Sequence, residues 1–360
     1  MKLLLTGGHL APALAVIDEL KSGQYSNIHI IFVGRKDPPL EFEEVSKRNI
    51  PFIHLDAGRL TRFISIESIK ELLKAPFGFM RALQIVKKER PDRILTFGSY
   101  IGLPIALAGF LLHIPIYTHE QTIHPGLANR IISRFAKKIF VSFPESKPFF
   151  NPKKTILTGN PLRKEVTTII KQPFSFNNVL PVIYITGGSL GSHNLNNRVY
   201  LILQEILKIA NVIHQTGNVE KYKDYERFVS LQKGLPSSIR DRYAVRKHIY
   251  SDEIGYVYSI ATMVVGRAGA NTISELITLK KPAVLVPLPW SAHQEQQKQA
   301  HILVSNGTAE LYTESEESDK LYDTIYKVLK HTSEYRHHYQ NLETYNREHA
   351  TETILKDVLS

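Results

Sequence analysis

Between Val264 and Gln297 the chain sets an apolar run, a glycine turn, a helical stretch and a second apolar run in that order. Met263–Val265 reads as a buried strand, and Gly266–Arg267–Ala268–Gly269–Ala270 as the turn. Asn271–Leu279 reads as a helix with Ile273, Leu276 and Ile277 on one face, capped by Asn271 or Thr272, and Ala283–Leu288 as the next strand. That order admits few folds, because a strand that returns parallel through a helix is the unit of a doubly wound sheet. The helix start offers N–H groups and a dipole end to an anion, worth about 0.3–1 kcal/mol and up to about 2 when partly buried. Glu275, one turn inside, is placed to accept from a vicinal diol such as a ribose. The polar run His293–Gln299 follows the second strand, at the end where open α/β sheets hold ligands. Taken alone, the unit is as well explained by an ordinary βαβ turn.

Recurrence changes that balance. Lys2–Leu5, Ile28–Val33, Phe52–Leu55, Arg93–Phe97, Ile116–His119, Lys138–Val141 and Thr155–Leu157 read as strands. Between them fall helical stretches at Ala13–Leu20, Phe42–Arg48, Ile105–Leu112 and Leu127–Phe135, and a long one over Ile66–Glu89 broken near Pro76–Gly78. Gly159–Asn160–Pro161–Leu162–Arg163 and the loose segment to Asn178 read as a linker. The pattern restarts at Val182–Thr186, which ends in Gly187–Gly188–Ser189–Leu190–Gly191–Ser192 ahead of a helix over Asn194–Leu207. This glycine loop reads as a phosphate seat, with Ser189 adding a hydroxyl. Two Rossmann-like doubly wound α/β domains are therefore expected, facing across a cleft: residues 1–160 and 161–335, with 336–360 a closing helix packed back on the first domain.

The net charge is +11, which points to a polyanionic partner. No RNA- or DNA-binding signature accompanies it, so nucleic acid is not the expected partner. Cysteine is absent, which removes disulfides and thiolate metal sites, and none of the 15 histidines forms an HExxH pair. The most apolar stretch, Ile101–Tyr117, is too short to span a bilayer and contains Pro104, His113 and Pro115.

Several motifs then match a known family in order and nearly end to end. They are Gly7–Gly8–His9 with Pro12, His119–Glu120–Gln121 with Gly126–Leu127–Ala128–Asn129, and Gly159–Asn160–Pro161–Leu162–Arg163. Gly187–Gly188–Ser189–Leu190–Gly191, His214–Gln215–Thr216–Gly217, Arg267–Ala268–Gly269–Ala270 through Ser274–Glu275, and Gln296 with Ala300 complete the set. In these the chain resembles the MurG family of peptidoglycan glycosyltransferases, of the GT-B fold. The resemblance implies inverting transfer of N-acetylglucosamine from UDP-N-acetylglucosamine to the 4-hydroxyl of the muramoyl sugar of undecaprenyl-diphosphate-linked lipid I. It implies no cofactor and no metal, and no DxD-type acidic pair is in place to bind one. By the same resemblance Thr6, Gly7, Gly8, Thr122, Arg163 and Ser189 contact the donor, and Ser251 falls at the uracil position. Ala270, Asn271, Thr272, Ile273, Ser274 and Glu275 line the nucleotide, with Glu275 on the ribose, and Gln296 meets the sugar.

Inverting displacement needs a base for the acceptor hydroxyl. His9, in the first glycine loop, is one candidate, since imidazole titrates near neutrality; binding an acceptor phosphate or bracing the loop explains it equally well. Glu120 is the second candidate, with bracing its loop as the alternative. The chain departs from the family in a shortened first loop, in Thr122 after His-Glu-Gln, in Gln299 before Ala300 and in a glycine lost from Gly98–Ser99–Tyr100. Leu72, Leu73, Phe77, Phe79 and Met80, with Lys70, Lys74 and Arg81, form an expected contact with an anionic membrane surface, an amphipathic core helix being the alternative, and Pro76 and Gly78 are expected to break the helix and leave Phe77 and Phe79 in a loop. That places the protein peripherally on the cytoplasmic face of the plasma membrane. Transfer to a diacylglycerol-type lipid, sugar-nucleotide epimerisation and an inactive scaffold are the competing readings.

Overall fold

The computed structural model describes residues 1–25, 27–37, 39–58, 66–188 and 190–360, the side chains of 66–73 excepted. The chain divides into two compact units: unit 1 is Met1–Arg163 with Arg347–Ser360, and unit 2 is Lys164–Asn346.

Among the described residues, unit 1 holds a seven-stranded sheet of β1 (Lys2–Thr6), β2 (His29–Gly34), β3 (Phe52–His54), β4 (Arg93–Thr96), β5 (Ile116–Glu120), β6 (Lys138–Val141) and β7 (Thr155–Leu157). All pairs are parallel, in the order β3-β2-β1-β4-β5-β6-β7. Its helices are α1 (Leu10–Leu20), α2 (Leu40–Lys47), α3 (Ile66–Glu89), α4 (Ser99–Leu111) and α5 (Leu127–Ile132). Unit 2 holds β8 (Val182–Thr186), β9 (Asn211–Gln215), β10 (Tyr243–Arg246), β11 (Met263–Gly266), β12 (Ala283–Leu285) and β13 (Ala309–Leu311), parallel in the order β10-β9-β8-β11-β12-β13. Its helices are α6 (His193–Ile209), α7 (Asp224–Gly234), α8 (Ser237–Arg240), α9 (Ser251–Ile260), α10 (Ala270–Leu279), α11 (Glu295–Ser305), α12 (Ser318–Lys330) and α13 (Thr332–His337). The chain then closes with α14 (Ala350–Leu359) in unit 1.

The central strands are apolar without a break because both faces are covered. In β1, Leu3 and Leu5 pack with Leu14 and Ile17 of α1, while Leu4 turns to the opposite core with Ile101 and Ile105 of α4. Ile354, Leu355 and Val358 of α14 complete the first of these cores. In β8, Ile183 and Ile185 pack with Leu203 of α6 and Ile325 of α12. In each sheet the strand order reverses beside the first strand, between β1 and β4 and between β8 and β11. The crevice above such a reversal, at the carboxyl ends of the strands, is where doubly wound sheets bind ligands.

Three expectations need correction. Helix α3 runs unbroken through Pro76 and Gly78. Gly78 serves close packing: a Cβ there would lie 2.9 Å from the Cα of Ala57. Phe79 accordingly packs on the core, whereas Phe77 and Met80 stay 77% and 53% exposed on the helix surface. The segment after Arg163 is not loose either. Lys171 donates its N–H to Asp252 O at 2.9 Å, and the Tyr256 hydroxyl donates to the carbonyl of the buried Phe174 at 2.8 Å. The closing residues are not one continuous helix: Tyr339 is buried in unit 2, donating to Lys281 O at 2.6 Å, and α14 begins only at Ala350.

Candidate active site

In unit 1, β1 ends at Thr6 and the chain turns through Gly7–Gly8–His9 into α1. The turn is clamped on every side. Gly7 donates its N–H to Val33 O at 3.1 Å, and the hydroxyls of Thr6 and Ser99 donate to Gly7 O at 3.2 Å each. A Cβ on Gly7 would come within 1.8 Å of the Glu41 carboxylate, and one on Gly8 within 2.3 Å of Phe97 O. Glu41, from α2, accepts from the Arg35 N–H at 2.6 Å, and burial pushes its carboxyl above the usual range. Ser99 stands at φ 66°, a conformation that favours glycine, and its hydroxyl also accepts from Ile101 N–H at 3.2 Å.

His9 is the N-cap residue of α1 and makes no capping bond, so the start of α1 is left without a side-chain cap. Its Nδ1 lies 2.6 Å from the side-chain amide of Gln121. Burial lowers the pKa of His9, and the nearby Glu120 opposes that shift. The Glu120 carboxylate is itself buried and ringed by four donors. Oε1 faces the N–H and hydroxyl of Thr122 at 2.9 and 2.6 Å, and Oε2 faces Gly126 N–H at 3.2 Å and the Asn129 amide at 3.0 Å. Asn129 also accepts from the Thr118 hydroxyl at 2.8 Å and donates to His119 O at 3.2 Å. His119 is fully buried, its Nε2 near Gly159 O and the Ser142 hydroxyl, and desolvation holds its pKa down at about 3. Arg163 is half-buried at the end of unit 1.

In unit 2 the loop after β8 carries Gly188 and Gly191 at φ 84° and 80°. It lies backbone to backbone against the turn after β9: a Cβ on Gly191 would sit 2.1 Å from Thr216 O. Gln215 donates to Gly188 O at 2.7 Å and accepts from Ile249 N–H at 2.8 Å. Ser192 caps α6, accepting from Leu195 N–H at 3.4 Å, and its hydroxyl is 2.5 Å from Arg267. Arg267, buried, also donates to Val286 O at 3.0 Å and pairs with Glu314 at 2.5 Å. One guanidinium thus ties the loops after β8, β11, β12 and β13. Ser189 lies outside the described residues.

The cap of α10 is Gly269, not Asn271 or Thr272, and no side chain caps it. Glycine there has no side-chain oxygen to offer the first N–H groups of the helix. Ile273 is fully buried, so only its backbone can line a ligand. Ser274 donates to Ala270 O at 2.9 Å. Glu275 accepts from the Tyr258 hydroxyl at 2.7 Å, which fixes its carboxylate one turn from the helix start. Ser251 opens α9. Gln296, in α11, gives its Oε1 to Leu288 N–H at 2.9 Å, leaving its amide NH₂ as the group it presents.

The structure therefore gathers Thr6, Gly7, Gly8, His9, Glu120 and Thr122 about the ends of β1 and β5 in unit 1. Ser251, Ala270 through Glu275 and Gln296 are placed on α9, α10 and α11 in unit 2. Sequence reasoning passed over Glu41, Gln121 and Glu314 as site residues. Gln121 belongs to the His119–Glu120–Gln121 motif; Glu41 and Glu314 reach their loops only through the fold.

The N-terminal domain of glycosyltransferase family 28 matches residues 6–141, and its C-terminal domain matches residues 182–354. A UDP-N-acetylglucosamine–N-acetylmuramyl-(pentapeptide) pyrophosphoryl-undecaprenol N-acetylglucosamine transferase of Caldicellulosiruptor saccharolyticus is 36% identical, over 98% of this chain and 94% of that protein. A protein of the same name from Clostridium perfringens is 33% identical, over 94% of this chain and 92% of its own. Among solved structures, Acinetobacter baumannii MurG superposes with a TM-score of 0.71 at 26% identity, covering 100% of this chain and 99% of that one. The UDP-GlcNAc 2-epimerase of Neisseria meningitidis, at a TM-score of 0.67 and 16% identity over both full chains, shares the fold.

Proposed function

The chain belongs to glycosyltransferase family 28, and from that premise we propose that it transfers N-acetylglucosamine from UDP-N-acetylglucosamine to lipid I, N-acetylmuramyl-(pentapeptide) pyrophosphoryl-undecaprenol, giving lipid II. The observation that carries this reading is a likeness to transferases of that activity that runs almost the whole length of the chain.

The chemistry is an inverting displacement. The acceptor 4-hydroxyl loses its proton to His9 as its oxygen attacks the anomeric carbon, and the bond to the diphosphate breaks with its electron pair leaving on UDP. The start of α10, the glycine loop ahead of α6 and Arg163 offset the charge that develops on the leaving diphosphate. Glu275, fixed by Tyr258, receives the ribose, and Gln296 the sugar. Thr6, Gly7, Gly8, Thr122, Ser189 and Ser251 complete the donor contacts. Glu120 braces the loop from Gln121 to Gly126, because its carboxylate already has four donors and no lone pair turned toward a substrate. The reading includes a metal-independent transfer, in which backbone N–H groups and Arg163 meet the charge on the leaving diphosphate.

The protein works peripherally, on the cytoplasmic face of the plasma membrane. Among the described residues no helix is long and apolar enough to cross a membrane. Phe77 and Met80, exposed on α3 near Lys74 and Arg81, supply an apolar and basic contact for an anionic leaflet. Cosedimentation with anionic liposomes at low salt, lost in a Phe77→Ser/Met80→Ser variant, is the expected result. Wild-type protein that stays in the supernatant removes the membrane contact.

The test of the activity is transfer from labelled UDP-N-acetylglucosamine to a lipid I analogue with EDTA present. A disaccharide-linked product is expected. Donor turnover without an acceptor supports an epimerase instead, and donor binding without turnover supports a scaffold.

A further inference from the structure

Histidine in its neutral form carries one N–H, and whatever sits on one ring nitrogen decides what the other can do. His9 Nδ1 faces the amide end of Gln121 at 2.6 Å. With the amide nitrogen at that point, Nδ1 must accept, the ring proton sits on Nε2, and His9 offers a donor to the substrate side. Gln121 is buried, and in that orientation its Oε1 is enclosed with no donor. A half-turn of the amide occupies the same space and brings Oε1 onto Nδ1. The ring proton then belongs to Nδ1, and Nε2 keeps a lone pair.

The charge state after proton uptake decides between the two. A histidine that has taken a substrate proton bears N–H on both nitrogens, and two donors cannot share a 2.6 Å line. A base at His9 is therefore compatible only with Oε1 toward Nδ1. We propose that Gln121 is the positioning residue for His9: its carbonyl oxygen accepts from Nδ1–H, so that Nε2 takes the proton of the acceptor hydroxyl and the resulting imidazolium keeps its Nδ1–H bond. This rests on the reading of His9 as the base. The titratable groups around the ring fit it. Glu120, next to Gln121, favours the imidazolium, His119 on the same strand stays neutral, and Glu41 lies against Gly7 on the other side of the turn.

The first experiment needs no turnover. The ¹⁵N spectrum of the full chain labelled at histidine shows, for His9 of the wild type at neutral pH, a protonated Nδ1 and an unprotonated Nε2. Gln121→Met, which keeps the length of the side chain without an acceptor oxygen, returns His9 to the Nε2–H form. A wild-type His9 protonated at Nε2, or a spectrum unchanged in Gln121→Met, overturns the proposal.

The second experiment is the pH profile of kcat. Gln121→Met lowers kcat about tenfold to a hundredfold, with both KM values within about twofold of wild type. Gln121→Glu restores most of the rate and moves the acidic limb up by about one pH unit, because a carboxylate on Nδ1–H favours the imidazolium. Equal losses in both variants with an unmoved limb mean that Gln121 only packs, and overturn the proposal. If His9→Ala costs less than tenfold, the base reading fails; the ¹⁵N spectrum then still decides the tautomer by itself.

Discussion

The two units wind their sheets in the same order around a first strand, yet they secure the turn after that strand with different chemistry. In unit 1 the turn rests on carboxylates: Glu41 presses on Gly7, and Glu120 organises the neighbouring loop. In unit 2 it rests on a guanidinium, Arg267, which holds Ser192 and is paired with Glu314. Negative charge beside a turn disfavours a second anion and favours a protonated imidazole. In unit 2 the nearby carboxylate is paired with Arg267, and the start of α10, beside that turn on β11, favours an anion. On the proposed reading the same topology serves proton transfer in one unit and an anion seat in the other, and the difference lies in a few residues that the strand order itself does not fix.

The sharpest break of this contrast is His9→Ala. Transfer activity is expected to fall about a hundredfold to ten-thousandfold, as for loss of a general base, with donor affinity measured by calorimetry unchanged. A fall below tenfold removes proton transfer from unit 1. Next in size is Arg267→Met. It leaves the partly buried Glu314 with the Asn194 amide but no cation and is expected to cost about 3 kcal/mol in urea unfolding, and Arg267→Met/Glu314→Gln recovers much of that. A single variant as stable as wild type means that the brace in unit 2 carries little.

The third test asks whether the units also share something. Each buries one histidine whose pKa is pushed down to about 3, His119 in unit 1 and His214 in unit 2. The unfolded chain binds those protons near 6.5, so the stability is whole above about pH 6.5 and is lost as the pH falls toward 3. At pH 5 the loss is about 2 kcal/mol per histidine. Chemical denaturation at pH 7 and pH 5 reads it, and His214→Gln flattens the slope in unit 2 alone. Equal stability at the two pH values contradicts the burial of both rings as neutral groups. The smallest effect is Tyr258→Phe, which removes the hydroxyl's bond to the Glu275 carboxylate. The KM for UDP-N-acetylglucosamine is expected to rise about fivefold, the equivalent of one ordinary hydrogen bond, while His9-dependent steps stay as they were. An unchanged KM takes Glu275 away from the ribose.

Much of the architecture was legible because buried parallel strands write themselves as apolar runs, and their glycine ends punctuate them. β1, β8 and β11 are of that kind. What escaped was polar or short. β13 has three residues, too few for a period to appear. α11 opens on Glu295–Gln296–Gln297–Lys298 and shows its buried Ala300, Ile302 and Leu303 only later, so its start reads as a loop. α7 buries little beyond Asp224 and Phe228. By propensity Pro76 ends a helix, and the packing of α3 through Gly78 overrides it. At the site, the triplet His119–Glu120–Gln121 was visible but not its division of labour. Strand alternation, carried one residue past β5, turns Gln121 and His119 to the His9 side and Glu120 to the opposite loop. The partners Glu41 and Glu314 lie far along the chain from the loops they brace, and periodicity has no means of naming them.

Helix α14 has a consequence for how this chain comes into being. Unit 1 is missing Ile354, Leu355 and Val358 from its core until the ribosome has passed all of unit 2. At usual elongation rates that delay is on the order of ten seconds or more. Unit 2, uninterrupted in sequence, is the first to have all its residues, whereas the first 163 residues wait with the α1 side of their core uncovered. A nascent chain halted before residue 347 is therefore a client for chaperones, and its later half is the part able to fold without help.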